Sequence, residues 1–226
     1  MNYNQLIDTI KMMRKSNLTK SGVILAGGRG KRLKPATNTI NKHLLLIYDK
    51  PMIYYPLTTL ILAGVREIAI VCNNEDLINY KKLLCDGRHF GVKFLYFCQE
   101  KPSGIVDALK SCQEFWQNKP FVLTLGDNLF YGSGLSKLLL ESSNELSTTI
   151  FGYKVTNPKE FGVIEFSKDL SVKKLVEKPQ NPKSNIIATG LYFFNKDLSN
   201  YIDQISLSYR GEYEIADLLN TIAQEK

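Results

Sequence analysis

The chain has 226 residues, 44% hydrophobic and 11% aromatic, which suffices for the core of one domain and excludes a disordered tail. No apolar stretch approaches the roughly 18 to 20 uncharged residues of a membrane span, and no secretory h-region with a cleavage site opens the chain, so a cytoplasmic location without membrane partners is expected. The formal charge of +7 raises nucleic acid as a partner. Cations gather only over Lys11 to Lys20 and Arg29 to Lys34, however, with no basic stripe interleaved with aromatics. The expectation is therefore a small phosphorylated ligand and no nucleic acid.

Residues 1–20 set Tyr3, Leu6, Ile7, Ile10 and Met13 near helical spacing beside Lys11, Arg14 and Lys15, which predicts an amphipathic helical extension packed on the body of the domain. Residues 21–226 form that domain. Strand-like and helix-like patterns alternate through GVILA, a glycine loop, PMIYYPLTTLILAG, EIAIVCN, DLINYKKLLCDG, VKFLYFCQ, IVDALKSCQEFW and PFVLTLGD, the order of a parallel α/β sheet with crossover helices. After Asp127 come TTIFGYKV, GVIEFS, VKKLVEKP and ATGLYFFN as strands on short turns, then a helix from about Glu212 to Gln224. These should add mixed or antiparallel strands over the sheet's carboxyl edge, where such folds bind ligands. Cys72, Cys85, Cys98 and Cys112 contain no CxxC pair and are joined only by His43 and His89, so buried reduced thiols are expected rather than a zinc site.

The glycine loop matches neither familiar phosphate loop. A dinucleotide fingerprint needs a third glycine where Leu33 stands, and a Walker loop needs a glycine at Leu25 and a hydroxyl at Arg32. What remains is G-G-x-G-x-R-L-x-P-x-T, then Asn41-Lys42. A tight turn alone would not call for Arg29, Lys31 and Arg32 in one loop, whereas a guanidinium fork and a mobile ammonium suit a triphosphate.

This loop, together with IYDKPMIYYPL, QEKPSGI, LGDNLFYG, FGVIEF, EKPQNPKSN, TGLYFF and RGEYEIADL, resembles the sugar-1-phosphate nucleotidylyltransferases, and within them the glucose-1-phosphate thymidylyltransferases. The likeness runs in order from about Gly22 to the C-terminus. It implies a Rossmann-like α/β fold with a mixed, mostly parallel sheet flanked by helices. It also implies a reaction in which dTTP and glucose-1-phosphate give dTDP-glucose and pyrophosphate, with Mg2+ as cofactor, in the supply of activated deoxysugars for surface polysaccharide. Self-association stays open.

By that resemblance Leu25, Gly27, Gly28 and Gly30 approach the nucleotide, Arg32 holds the phosphates that leave, and Lys42 bridges the reacting phosphates. Asp127 ends an apolar strand at the carboxyl edge and is the metal ligand, with Asn128 beside it; a turn-capping aspartate is the plainer alternative. Gln99, Pro102 and Gly104 form the base pocket. On the sugar side stand Gly162, Glu177, Lys178, Ala188 and Gly190, where Glu177 can accept from hydroxyls and Lys178 can pair with the phosphate; Tyr153 and Tyr192 pack at the wall.

Leu46, Ser103 and Val106 depart from the family pattern. So does the absence of the W-x-D-x-G-T phrase whose aspartate is the family's second metal ligand: Trp116, the only tryptophan, is followed by Gln117-Asn118. Two alternatives to thymidylyl transfer therefore stand, a catalytically impaired nucleotide- or sugar-nucleotide-binding module, and a uridylyltransferase using UTP.

Overall fold

The computed structural model describes residues 21–145, 147–169 and 171–224, so the helical extension expected over residues 1–20 lies outside the described residues. Strand β1 (Ser21–Leu25) opens the sheet, and a small hairpin, β2 (Leu46–Ile47) with β3 (Lys50–Pro51), leads into helix α1 (Tyr54–Leu62). Gly64 adopts φ 87, the left-handed conformation that ends this helix without a Cβ penalty. The chain continues through β4 (Glu67–Cys72), α2 (Leu77–Leu84), β5 (Lys93–Cys98), α3 (Ile105–Ser111), α4 (Gln113–Trp116) and β6 (Phe121–Leu125). The single helix expected over IVDALKSCQEFW is thus two, broken at Cys112 (φ −122, ψ 25).

The second half contains α5 (Leu135–Ser142), β7 (Thr149–Lys154), β8 (Gly162–Phe166), β9 (Val172–Glu177), β10 (Ile186–Phe194) and α6 (Ile215–Gln224). The order across the sheet is β5-β4-β1-β6-β10-β8-β9, with β7 also paired to β10. The pairs β4–β5, β1–β4 and β1–β6 are parallel; β10 is antiparallel to β6, β7 and β8. The later strands therefore continue the sheet itself. Because Leu191 lies opposite Thr124, residues 186–189 run past the carboxyl end of β6.

Both faces of the sheet are covered, which explains why its strands read as unbroken apolar runs rather than alternating ones. In β1, Val23 enters one core and Ile24 the other; in β6, Phe121 and Leu123 take the first and Val122 the second. Trp116, Leu109, Leu218 and Ile222 fill the first core, while Leu57, Leu60, Tyr80 and Leu139 fill the second. Helix α5 was not anticipated, although Leu135, Leu139 and Ser142 follow helical spacing and the left-handed Gly134 (φ 79) precedes them. All four cysteines are free, but only Cys72 and Cys112 are buried: Cys98 is half-buried and Cys85 exposed, a correction to the expected burial. Burial pushes the Cys72 and Cys112 thiols up to about 12, which leaves them inert at neutral pH.

Candidate active site

Strand β1 has β4 on one side and β6 on the other, so connections leave its neighbours in opposite directions and a crevice opens at their carboxyl ends. The ladder extends just past the strands: Ala26 N–H donates to Val71 O at 2.7 Å and Gly126 N–H to Leu25 O at 2.8 Å. That pairing brings the glycine loop and Asp127 to one edge. A Cβ on Gly126 would stand 2.7 Å from the His43 ring, and one on Gly28 3.1 Å from Lys42 Cε. Glycine is thus what lets the Lys42–Leu44 turn lie against both strand ends.

Lys42 Nζ pairs directly with the Asp127 carboxylate. Burial pulls the Asp127 carboxyl upward, but the hydrogen bond and charge of Lys42 outweigh it and hold the group below the usual carboxylate range, hence ionised. Beneath them lies His43, 2% exposed. Asn41 Nδ2 donates to Ala26 O and Asp76, so Asn41 Oδ1 faces His43 and accepts from its backbone N–H at 3.0 Å and from Nδ1 at 2.7 Å. Nδ1 therefore carries the proton of a neutral ring. Burial first, then the charge of Lys42, push its pKa down to about 4, against the pull of Asp127.

The pocket beside Gln99, expected to take the base, is built by two distant segments. Gly104 has φ +106, and a Cβ there would meet Tyr213 O at 2.5 Å. Tyr213 N–H donates to Ser103 O at 2.8 Å and Val106 N–H to Tyr213 O at 3.3 Å. The RGEYEIADL phrase is thereby docked on the Pro102-Ser103-Gly104 turn. Gln99 is buried at the end of β5, with its Nε2 donating to Asp107 and to Gly104 O.

On the other side of the crevice, Lys178 follows β9 with φ 41, a left-handed conformation that costs a lysine about 1 kcal/mol or more, and its N–H donates to Phe161 O at 3.0 Å. A Cβ on Gly162 would stand 3.1 Å from Glu177 Oε2, and one on Gly190 2.6 Å from Leu125 and Asn128. Gly190 N–H donates to Asn128 Oδ1 at 3.3 Å. Arg210, which the sequence reading passed over, pairs with Glu177 and Glu214 at 3.2 Å each and with Glu212 at 3.4 Å. Burial and the neighbouring carboxylates of Glu177 and Glu212 push Glu214 up against the opposing pull of Ser208 and Arg210.

Two adjoining cavities result. One, about 320 Å³, is lined by Leu25, Gly27, Gly28 and Lys42 with Gln99, Pro102 and Gly104, and Arg210 enters it. The other, about 820 Å³, is lined by Asn128, Tyr153, Gly162, Ala188, Gly190 and Tyr192. Asp127, Glu177 and Lys178 face both. Two expected residues stand apart. Gly30 lines neither cavity, its carbonyl accepting from Thr37 Oγ1 at 2.8 Å. The Arg32 side chain, 85% exposed, pairs with Glu160 at 3.3 Å instead of reaching the cavity. Tyr192 is buried as expected, and Tyr153 lines the same cavity at its rim, where it is 65% exposed.

The profile of the family described as Nucleotidyl transferase matches residues 21–226. The chain belongs to that family. It is 44% identical over 198 residues, 87% of this chain and 69% of the relative, to a Neisseria meningitidis protein named glucose-1-phosphate thymidylyltransferase. A Mycobacterium tuberculosis protein of the same name is 44% identical over 87% of this chain and 68% of its own. Among solved structures, a Bacillus anthracis protein described as a glucose-1-phosphate thymidylyltransferase superposes with TM-score 0.82 and 34% identity over 91% of this chain and 83% of that one. A UDP-glucose pyrophosphorylase complexed with UDP-glucose gives TM-score 0.77 and 26% identity over 92% and 88%. The nucleotidyl transferase fold accounts for the mixed sheet and for the crevice at its carboxyl edge.

Proposed function

We propose that the chain transfers a thymidylyl group from dTTP to glucose-1-phosphate, giving dTDP-glucose and pyrophosphate. The observation that carries this reading is the common wall of the two cavities: Asp127, Glu177 and Lys178 border both the space beside the glycine loop and Gln99 and the space beside Gly162 and Gly190. A sugar-phosphate oxygen attacks the α-phosphorus; the new P–O bond forms as the bond to pyrophosphate breaks, and the electron pair leaves with pyrophosphate. The nucleophile is already ionised, so positioning and charge neutralisation do the work and no general base is needed.

Lys42 supplies a mobile positive charge at the reacting phosphates, Lys178 and Arg210 receive the sugar phosphate, Glu177 accepts from sugar hydroxyls, and Gln99 meets the pyrimidine edge. Enzymes of this family generally use a divalent metal. The ionised, partly open Asp127 carboxylate fits a hard cation, and we assign it to Mg2+, which would supply counter-charge to the phosphates. Among the described residues no three acidic, His or Cys side chains gather as a cation site, so phosphate oxygens and water would complete the coordination. The ordinary setting of such a triphosphate reaction is the cytoplasm, and among the described residues no helix is long and apolar enough to cross a membrane.

A second reading, uridylyl transfer from UTP, is favoured by the similarity to UDP-glucose pyrophosphorylase and by the identical edge that uracil and thymine present to Gln99. The test is pyrophosphate release with glucose-1-phosphate, Mg2+ and dTTP, UTP, dCTP or CTP, beside Asp127→Asn. Preference for dTTP supports the first reading and preference for UTP the second. No turnover with any of them, alongside measurable dTTP binding, sinks both and leaves a nucleotide-binding module.

A further inference from the structure

A glutamine facing a pyrimidine can present either end of its amide, and the two ends select different bases. Gln99, 7% exposed, is held to one. Its Nε2 donates to Asp107 Oδ2 at 2.7 Å and to Gly104 O at 3.4 Å. A carboxylate and a carbonyl only accept, so both amide hydrogens are spent there, and the reversed amide would set oxygen against oxygen at each contact. Oε1 turns instead to the glycine loop, 3.6 Å from where a Cβ on Gly27 would stand. Asp107 itself does not line the cavity. It sits in the first turn of α3 and reaches the ligand space only through Gln99.

We infer that Asp107 is a positioning residue for nucleotide selection. It locks the Gln99 amide with its oxygen toward the base, so the pocket takes a pyrimidine whose N3 carries a hydrogen, as in thymine or uracil, and opposes cytosine, whose N3 is a lone pair. The inference rests on the nucleotidylyl-transfer reading for its substrate and deepens it, because it names the group that sets Gln99's polarity. Gly104 O alone is a poor lock: at 3.4 Å it is the longer of the two contacts, and it leaves one amide hydrogen without a partner.

Asp107→Asn is the decisive variant, since an asparagine there can donate as well as accept and lets the Gln99 amide turn over. The kcat/KM ratio for dTTP over dCTP should fall by about tenfold or more, with the KM for glucose-1-phosphate and the urea midpoint unmoved. Asp107→Ala, which removes the carboxylate without offering a donor, should shift the ratio in the same direction. A proportional loss with both triphosphates, leaving the ratio unchanged, overturns the assignment. Calorimetric titration of dTTP and dCTP into wild type and variants separates this inference from the transfer reading. If wild type turns over no triphosphate, the transfer reading fails, and the affinity ratio still decides the role of Asp107.

Discussion

Lys42 and Asp127, 85 positions apart in the chain, meet in a direct ion pair at the carboxyl edge of the sheet. Each is the other's placeholder, because a phosphate group competes for Lys42 and a cation for Asp127. Asp127→Asn keeps the shape and removes the charge, and Lys42→Ala removes the donor. Either should lower kcat by about 10²- to 10³-fold, measured as pyrophosphate release. The double variant should cost less than the product of the two, since the residues act as one unit. Multiplicative losses would mean that they act independently.

His43 makes stability depend on pH. In the unfolded chain it takes up a proton near its ordinary value of 6.5, whereas in the folded protein it resists until about 4. The unfolded state therefore binds more protons across that window, and stability present above 6.5 is lost as the pH falls toward 4, by about 3 kcal/mol at most. Urea unfolding between pH 7 and pH 4 should show this slope, and His43→Gln should flatten it. An equal slope in the variant would place the proton uptake elsewhere.

Gly104→Ala tests the junction of the pocket proposed for the base. The substitution forces an L-residue to φ +106 and drives a methyl into Tyr213 O at 2.5 Å. It should destabilise the fold by about 2 kcal/mol or more and weaken dTTP binding by calorimetry. Undiminished binding would show that the Tyr213 segment is not needed to shape the pocket.

Arg32 and Glu160 separate stability from binding. Their pair is solvent-exposed, with side chains 85% and 59% accessible, so Arg32→Ala should change the urea midpoint by an amount equivalent to about 0.5 kcal/mol or less. If Arg32 leaves Glu160 for the triphosphate when substrate binds, the same variant should raise the KM for dTTP about tenfold, and Glu160→Ala should lower it. An unchanged KM in Arg32→Ala would leave that residue a surface cation.

The alternation of apolar runs and glycine or proline breaks was enough to read the parallel half of the sheet, because strands buried on both faces have no other composition open to them. The edge residues Gly28, Lys42 and Asp127 were legible from their motifs. Arg210 was not, because a lone arginine between Tyr209 and Gly211 has the look of a surface turn, and only the docking of Tyr213 on Ser103 turns it inward. Asp107 was hidden for a similar reason: in IVDALKS it has the form of an ordinary acid in a first helical turn. Helix α5 has a weak signal, with Leu138 45% exposed on its outer side. Arg32 went the other way, since its motif directs it to phosphate while its side chain turns to Glu160.

The parallel register of β1 with β6, Leu25 opposite Leu125, has a consequence for how this chain tolerates change. A one-residue deletion inside β6 would carry Leu123 and Val122 into each other's cores and turn Asp127 to the opposite face of the sheet. Folding and chemistry would be lost in one event. The far edge of the sheet is free of that linkage: around Gly91, exposed in the turn before β5, nothing among the described residues lies within 4 Å of where a Cβ would stand. Insertions are affordable there, so that turn is the place to attach a peptide tag or reporter without disturbing the crevice.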